Sequence, residues 1–181
     1  MSVHDSVHRT RDPACEVAHT PAVPGHAAGE RTLVAVFASP VAGYLLRYGA
    51  DLGYRGLLVE PDHTRASAAT MLGFGVQESV PDDLDELTDL VVTDHHRDEL
   101  GVVLRDALGT KARWIGVMGS PRHTGPHVAA LTALGVPDPD IARVHRPIGL
   151  NIGSRTPPEI AIATLAGLLA DRNGRSGGLH F

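Results

Sequence analysis

Four short clusters in this 181-residue chain carry residue types able to do chemistry, and each follows an apolar run. The first is Phe37-Ala38-Ser39-Pro40-Val41-Ala42, where Ser39 could cap a helix or bind a ligand, and Pro40 removes one backbone N–H from the turn. A dinucleotide-binding turn would read GxGxxG here, so that the backbone can approach a pyrophosphate at a helix N-terminus; none of those glycines is present. The acidic residue such a site uses about 20 residues later is present as Glu60, with Asp62 close by. The second cluster, Thr93-Asp94-His95-His96-Arg97-Asp98-Glu99, sets two histidines among carboxylates, a composition suited to acid–base work or ligand contact through Asp94 and His95. Adjacent histidines rarely aim both rings at one ion, so no metal site is expected. The third, Gly116-Val117-Met118-Gly119-Ser120-Pro121-Arg122, reads as an anion cradle: Gly119 permits close approach, Ser120 brings a hydroxyl and Arg122 a forked cation. The fourth runs from His145 to Thr156; Pro147, Gly149, Asn151 and Gly153 give it a fixed, non-repetitive conformation before a helix start that again suits an anion. Each also has a plain structural reading, as a turn, a solvated loop, a helix start or a long connection.

The elements that must position these clusters are legible from the apolar runs. Residues 33–38, 57–60, 90–93 and 114–118 read as strands covered on both faces. A helix is expected from about Val41 to Leu52, and Leu100, Val103, Leu104 and Ala107 lie at helical spacing before Gly109. Pro126 either begins the regular helix after the third cluster late or removes a hydrogen bond inside it. Thr156-Pro157-Pro158-Glu159 predicts a capping box, followed by an apolar stripe of Ile162, Leu165, Ala166 and Leu169 and an Asn173-Gly174 stop. Strand and helix alternate, which predicts an α/β fold with a mostly parallel, doubly wound sheet. In such sheets ligands bind beyond the carboxyl ends of the strands, where all four clusters fall. Residues 1–30 hold Pro13, Pro21, Pro24 and four histidines and, after Met1, no Leu, Ile, Phe or Met, so a mobile tail is expected there. The folded domain is expected over 31–174 and a frayed tail over 175–181.

Composition excludes several classes. Sixteen Lys and Arg against 21 Asp and Glu leave a formal charge of −5, which argues against nucleic acid. No apolar run approaches the roughly 18 residues of a membrane span, and the N-terminus has no signal-like apolar segment. The single Cys15 excludes an internal disulfide framework or a CxxC pair, so a cytoplasmic protein is expected.

The stretches TDLVVTDHHRDELGVVLRDAL, RWIGVMGSPRH and HRPIGLNIGSRTPPEIAIATLAGLLADRNG resemble the C-terminal Rossmann-like domain of the XdhC/CoxI family. The family pattern runs approximately Y-I-G-x-x-G-S-x-x-K and then P-I-G-L-x-I-G-x-x-T-P-x-E-I-A. Residues 114–116, 119–120, 147–150, 152–153, 156–157 and 159–161 match it. The resemblance covers about residues 31–174 and implies a three-layer Rossmann-like fold. It further implies an accessory role: binding molybdenum cofactor (molybdopterin) and supporting maturation of a xanthine dehydrogenase- or CO dehydrogenase-type molybdenum hydroxylase. Implied partners are that hydroxylase, a cysteine desulfurase and a second copy in a homodimer. The chain departs from the pattern where the family reads G-A-G-H (here Phe37 to Pro40), where it reads T-H-D-H-x-x-D (here Thr93 to Glu99), and at the Lys after G-S, which is His123. The family's cysteine-bearing N-terminal domain has no counterpart in this sequence. The leading reading is a binding protein whose site draws on Ser39, Pro40, Glu60, Asp94, His95, Gly119, Ser120, Arg122, Pro147, Gly149, Asn151 and Gly153, without a catalytic residue. Its alternatives are an NAD(P)-dependent oxidoreductase, disfavoured by the first turn, and a ligand-free structural subunit.

Overall fold

The computed structural model describes residues 30–70, 73–120 and 125–178; the expected tail over 1–30, but for Glu30, the end of the expected 175–181 tail and Arg122 lie outside the described residues. Six parallel strands form one sheet in the order β3-β2-β1-β4-β5-β6. These are β1 (Arg31–Val36), β2 (Tyr54–Val59), β3 (Gly75–Gln77), β4 (Thr88–Val92), β5 (Trp114–Val117) and β6 (Val144–His145). The helices are α1 (Pro40–Asp51), α2 (His63–Thr70), α3 (Leu100–Leu108), α4 (Pro126–Ala133), α5 (Asp138–Ile141) and α6 (Pro157–Arg172).

The continuous apolar runs of β1 and β4 are explained by burial on both faces. Side chains alternate across a strand, so Val34, Val36, Leu90 and Val92 face a layer with Val103, Leu104 and Leu131 of α3 and α4. Leu33, Ala35 and Val91 face the opposite layer with Leu45 and Leu46 of α1 and Leu165 and Leu168 of α6. Gly116 is fixed by the same packing: a Cβ there would strike the Trp114 ring and stand 2.8 Å from Ile148.

Strand ends differ slightly from expectation, because Phe37 leaves β1 with φ 71° and chain direction changes there rather than at Ala38. α4 begins late, at Pro126, the first of the two outcomes Pro126 allowed. The stripe expected on α6 forms, with Ile162, Leu165, Ala166 and Leu169 lining one groove with Tyr48 and Leu52 at the end of α1, but it is only partly covered. Ile162 is 52% exposed, while Ala161, Ala163, Thr164, Leu165 and Leu168 are buried. The helix is covered from two directions, by the sheet and by the preceding loop, whose Leu150 N–H donates to the Ala163 carbonyl at 3.0 Å. The capping box itself forms: Glu159 Oε2 accepts from Arg155 N (2.7 Å) and Thr156 N (3.1 Å).

At the amino edge of the sheet a polar clasp ties the ends of the fold together. Asp89, fully buried, accepts from Tyr54 Oη (2.9 Å) and Arg113 Nε (2.8 Å). Arg113 continues to Asp171 at 2.6 Å, and Arg172 Nη1 donates to the Tyr54 hydroxyl at 3.3 Å. Burial first, and then Asp89, push the Tyr54 phenol up to about 12.

Candidate functional site

The strand order reverses between β1 and β4, which makes the crevice beyond their carboxyl ends the first place to look for a ligand. Side chains stitch this crevice together. Ser39 caps α1 by accepting from Ala42 N (3.0 Å), and its hydroxyl meets that of Thr93 at 2.9 Å. Thr93 Oγ1 in turn donates toward the carbonyls of Val36 (3.0 Å) and Phe37 (2.9 Å). Below the turn lies Glu60, with no exposed surface. One carboxylate oxygen accepts from Ala38 N (2.7 Å) and Arg97 Nη1 (3.3 Å), the other from Asp62 N (2.9 Å) and Arg97 Nη2 (3.0 Å). The Arg97 guanidinium also pairs with Glu99 and lies 4.7 Å from the Phe37 ring centroid, an electrostatically favourable stack. Hydrogen bonds to Glu99 first, and then to Glu60, raise the Arg97 pKa further, and the same contact holds the Glu99 carboxyl below its ordinary range.

This network accounts for the first turn. A bulky residue at positive φ costs roughly 1–3 kcal/mol and persists only where its surroundings impose it. Here burial of the Phe37 ring, its cover by Arg97 and the Thr93 hydrogen bonds impose it. The indentation beside Ser39, lined by Ala38, Ala42, Leu58 and Phe74, measures only about 20 Å³. Both oxygens of Glu60, which in a dinucleotide site would face a ribose, are committed within the turn.

The ends of β4 and β5 are arranged differently. Asp94 Oδ1 accepts from His96 N at 3.0 Å, which sets the loop, and the half-buried His95 ring lies against His96 at a tilt of 38°, with centroids 4.1 Å apart. Burial foremost, then the charges of His96 and Arg146, lower the His95 pKa. Arg146, just after β6, reaches across the end of β5. A Cβ on Gly119 would lie 2.7 Å from its Nε, and its Nη2 donates to the Ser120 carbonyl at 3.2 Å. His145 stacks flat on Trp114 at 4.9 Å and 4°, anchoring the start of the loop that follows. That loop then packs on α6, with Gly149 at φ 83° and its Cα 2.9 Å from where a Cβ on Gly167 would stand.

The structure therefore separates the residues singled out from sequence into groups. Ser39, with Pro40 as the exposed first residue of α1, and Glu60 belong to the stitched turn. Asp94 and His95 lie at the end of β4, and Gly119 and Ser120 sit under Arg146. Pro147, Gly149, Asn151 and Gly153 line an exposed loop braced on α6. Sequence reasoning missed three residues. Thr93 and Arg97 complete the turn from 54 and 37 positions away. Arg146 was visible only as part of a loop, although an Arg immediately after a strand end was itself a signal.

Among the described residues, no helix is long and apolar enough to cross a membrane. The sequence model of the XdhC Rossmann domain matches residues 33–168. A 66-residue stretch, 36% of this chain and 12% of the relative, is 44% identical to the uncharacterized protein YqeB of Escherichia coli (strain K12). A crystal structure described as a xanthine dehydrogenase from Bacillus halodurans superposes with a TM-score of 0.63 at 19% identity, over 82% of this chain and 44% of that one. The chain thus spans less than half the length of that structure, and the likeness establishes a shared fold.

Proposed function

The chain belongs to the family of XdhC Rossmann domains, and from that premise we propose that it is an accessory protein which binds molybdenum cofactor and supports maturation of a xanthine dehydrogenase- or CO dehydrogenase-type hydroxylase. The observation that carries this reading is where residues of the family pattern, Gly119, Ser120 and the loop from Pro147, meet Arg146 and His95 from outside it. Gly119 and Ser120 meet Arg146 at the end of β5, beside His95 and the braced loop over 147–153, on the edge where doubly wound sheets bind ligands. A guanidinium and an imidazole over a glycine-lined strand end suit a phosphate-bearing pterin. Asp94, Ser120 and the loop's Asn151 would contact its polar edges, and Arg122 would add charge. Ser39, Pro40 and Glu60 would act indirectly, by fixing the turn that walls the site. When bound, the cofactor itself would supply the metal-centred redox chemistry of the target enzyme; this chain's residues would bind and orient it without covalent chemistry. A homodimer, a cysteine desulfurase donating sulfur, and the hydroxylase as recipient are the partners this role requires, in the cytoplasm.

A nicotinamide cofactor fits less well. The stitched turn lacks the glycines a pyrophosphate needs, and Glu60 is spent on backbone and Arg97. The decisive measurement is calorimetric affinity for molybdopterin and, separately, for NAD(H) and NADP(H). Molybdopterin binding that falls about tenfold to a hundredfold in Arg122→Ala, at unchanged melting temperature, is the expected result. Sub-micromolar NAD(P)(H) binding, or no molybdopterin binding, would overturn the proposal.

A further inference from the structure

His127, in the first turn of α4, has 7% of its surface exposed, and its Nδ1 has no hydrogen-bond partner. A buried imidazole nitrogen left without a partner costs free energy unless something satisfies it. The surroundings show what would. A Cβ placed on Gly125 would collide with His127 Nδ1 and stand 2.9 Å from Arg146 Nη1, so the two nitrogens crowd one point. The other edge of the same guanidinium lies against Gly119, where Nη2 donates to the Ser120 carbonyl. His95 approaches from β4, close enough for Arg146 to act on its charge. Arg146 thus reaches His127 on one side and the charge of His95 on the other, passing over Gly119 and Gly125, whose missing side chains are what admit the guanidinium and the imidazole.

We propose that Arg146, His127 and His95 form a subsite for a phosphate-class dianion at the carboxyl end of β5. The guanidinium would donate through its fork, His127 through Nδ1–H, and His95 through the ring nitrogen not bonded to the Met118 backbone, protonated when the anion binds. An anion there supplies the acceptor that His127 Nδ1 lacks and offsets the repulsion that Arg146 exerts on each histidine. Both histidines are held below their ordinary pKa, by burial first and then by positive neighbours. For His95 these are His96 and Arg146, opposed by Asp94 and a hydrogen bond to the Met118 backbone; for His127 the neighbour is Arg146. A bound dianion would reverse that direction. The inference rests on the cofactor reading only for the identity of the ligand; the anion chemistry stands apart from it.

The test uses the full-length protein and two inorganic probes. Phosphate is titrated at neutral pH while the His95 and His127 ring protons are followed by NMR, assigned with His95→Gln and His127→Gln. Sulfate, whose charge is constant over the range, is used to measure both histidine pKa values. Millimolar phosphate should shift both rings saturably, and sulfate should raise both pKa values by about half a pH unit or more. Arg146→Lys, which keeps the charge but loses the fork, should weaken phosphate binding about tenfold, and Arg146→Ala should abolish it. Absence of any saturable shift in the wild-type protein would overturn the subsite, whatever the variants do. So would equal shifts in a folded Arg146→Ala, which would mark unspecific screening. If phosphate binds as expected and molybdopterin does not, the subsite stands and the cofactor reading fails.

Discussion

Replacing Glu60 by Gln tests whether this residue holds the turn or the ligand. Gln keeps the volume and shape but turns one oxygen into an amide NH₂. Each oxygen now accepts one backbone N–H and one Arg97 N–H, so either orientation of the amide sets a donor against two donors. Two of four hydrogen bonds are lost, and Arg97 keeps only Glu99 as its ionic partner. The carboxylate has no exposed surface and the Arg97 side chain only 12%, so water screens little of this. Breaking such a buried pair costs about 3–5 kcal/mol. For a domain of this size each kcal/mol moves the melting point by roughly 2–4 °C, which predicts a fall of about 6–20 °C. Urea unfolding at neutral pH gives the free energy and calorimetry the midpoint. The Glu60→Gln, Arg97→Ala double-mutant cycle should show strong coupling. A loss below about 1 kcal/mol with molybdopterin affinity reduced would refute the reasoning and return Glu60 to the binding surface.

Tyr54→Phe should cost about 1–3 kcal/mol, because buried Asp89 loses a donor. The phenol's folded pKa is raised, so its contribution is fully present below pH 10 and lost as pH climbs through about 12; the alkaline arm of a stability–pH curve should therefore flatten in the variant. His95 and His127 have lowered pKa values, so their contribution is present above the usual histidine pKa and is lost as pH falls below it. The double variant His95→Gln, His127→Gln should lose less stability than wild type between pH 7 and 5, read by chemical denaturation. Gly167→Ala should cost about 1–3 kcal/mol by pushing Gly149 off α6, measured by thermal unfolding, although alanine is the better helix former. Thr93→Val should cost a similar amount and lower protection of the Phe37–Ala42 amides in hydrogen exchange, since it removes the hydroxyl bridging Ser39 and two carbonyls.

How far the molecule could be read from its residues depended on how local each signal was. β1, β4 and α3 announce themselves because burial on a sheet or one helix face requires unbroken or periodic apolar residues. β3 and β6 do not: Gly75–Gln77 is short and largely exposed, and Val144–His145 has two residues. α2, HTRASAAT, lacks an apolar period because it lies against the sheet's edge rather than across its centre. The carboxyl-edge location of the clusters followed from their order after strands. What each residue does there did not, because Glu60, Thr93 and Arg97 act through partners tens of positions away. Glu60 had the position of a ribose-binding acid and is used as a bracket for Ala38 and Asp62. Ile162 shares a stripe with Leu165, Ala166 and Leu169, but that stripe lines a groove beside α1, so the spacing that marks an apolar face did not tell how much of it is covered.

The clasp at the amino edge has a consequence for how this unit can be carried within a longer polypeptide. The strand that begins the fold starts at Arg31, paired in register with Tyr54, and the helix that ends it delivers Arg172 to the hydroxyl of that same residue. Entry to β1 and exit from α6 therefore meet at one phenol, on the rim opposite the carboxyl ends of the strands. A unit with that layout can be spliced into a host chain like a bead on a doubled thread, with flanking sequence meeting the fold on the far side from the carboxyl ends of its strands. Pulling the two ends apart would load Tyr54, Asp89 and Arg113 before it disturbed the glycines under Arg146. A circularly permuted version, with old ends joined across the clasp and new ones opened in the solvent-facing turn after α3, should keep Arg146 seated over Gly119 and the phosphate response proposed for it.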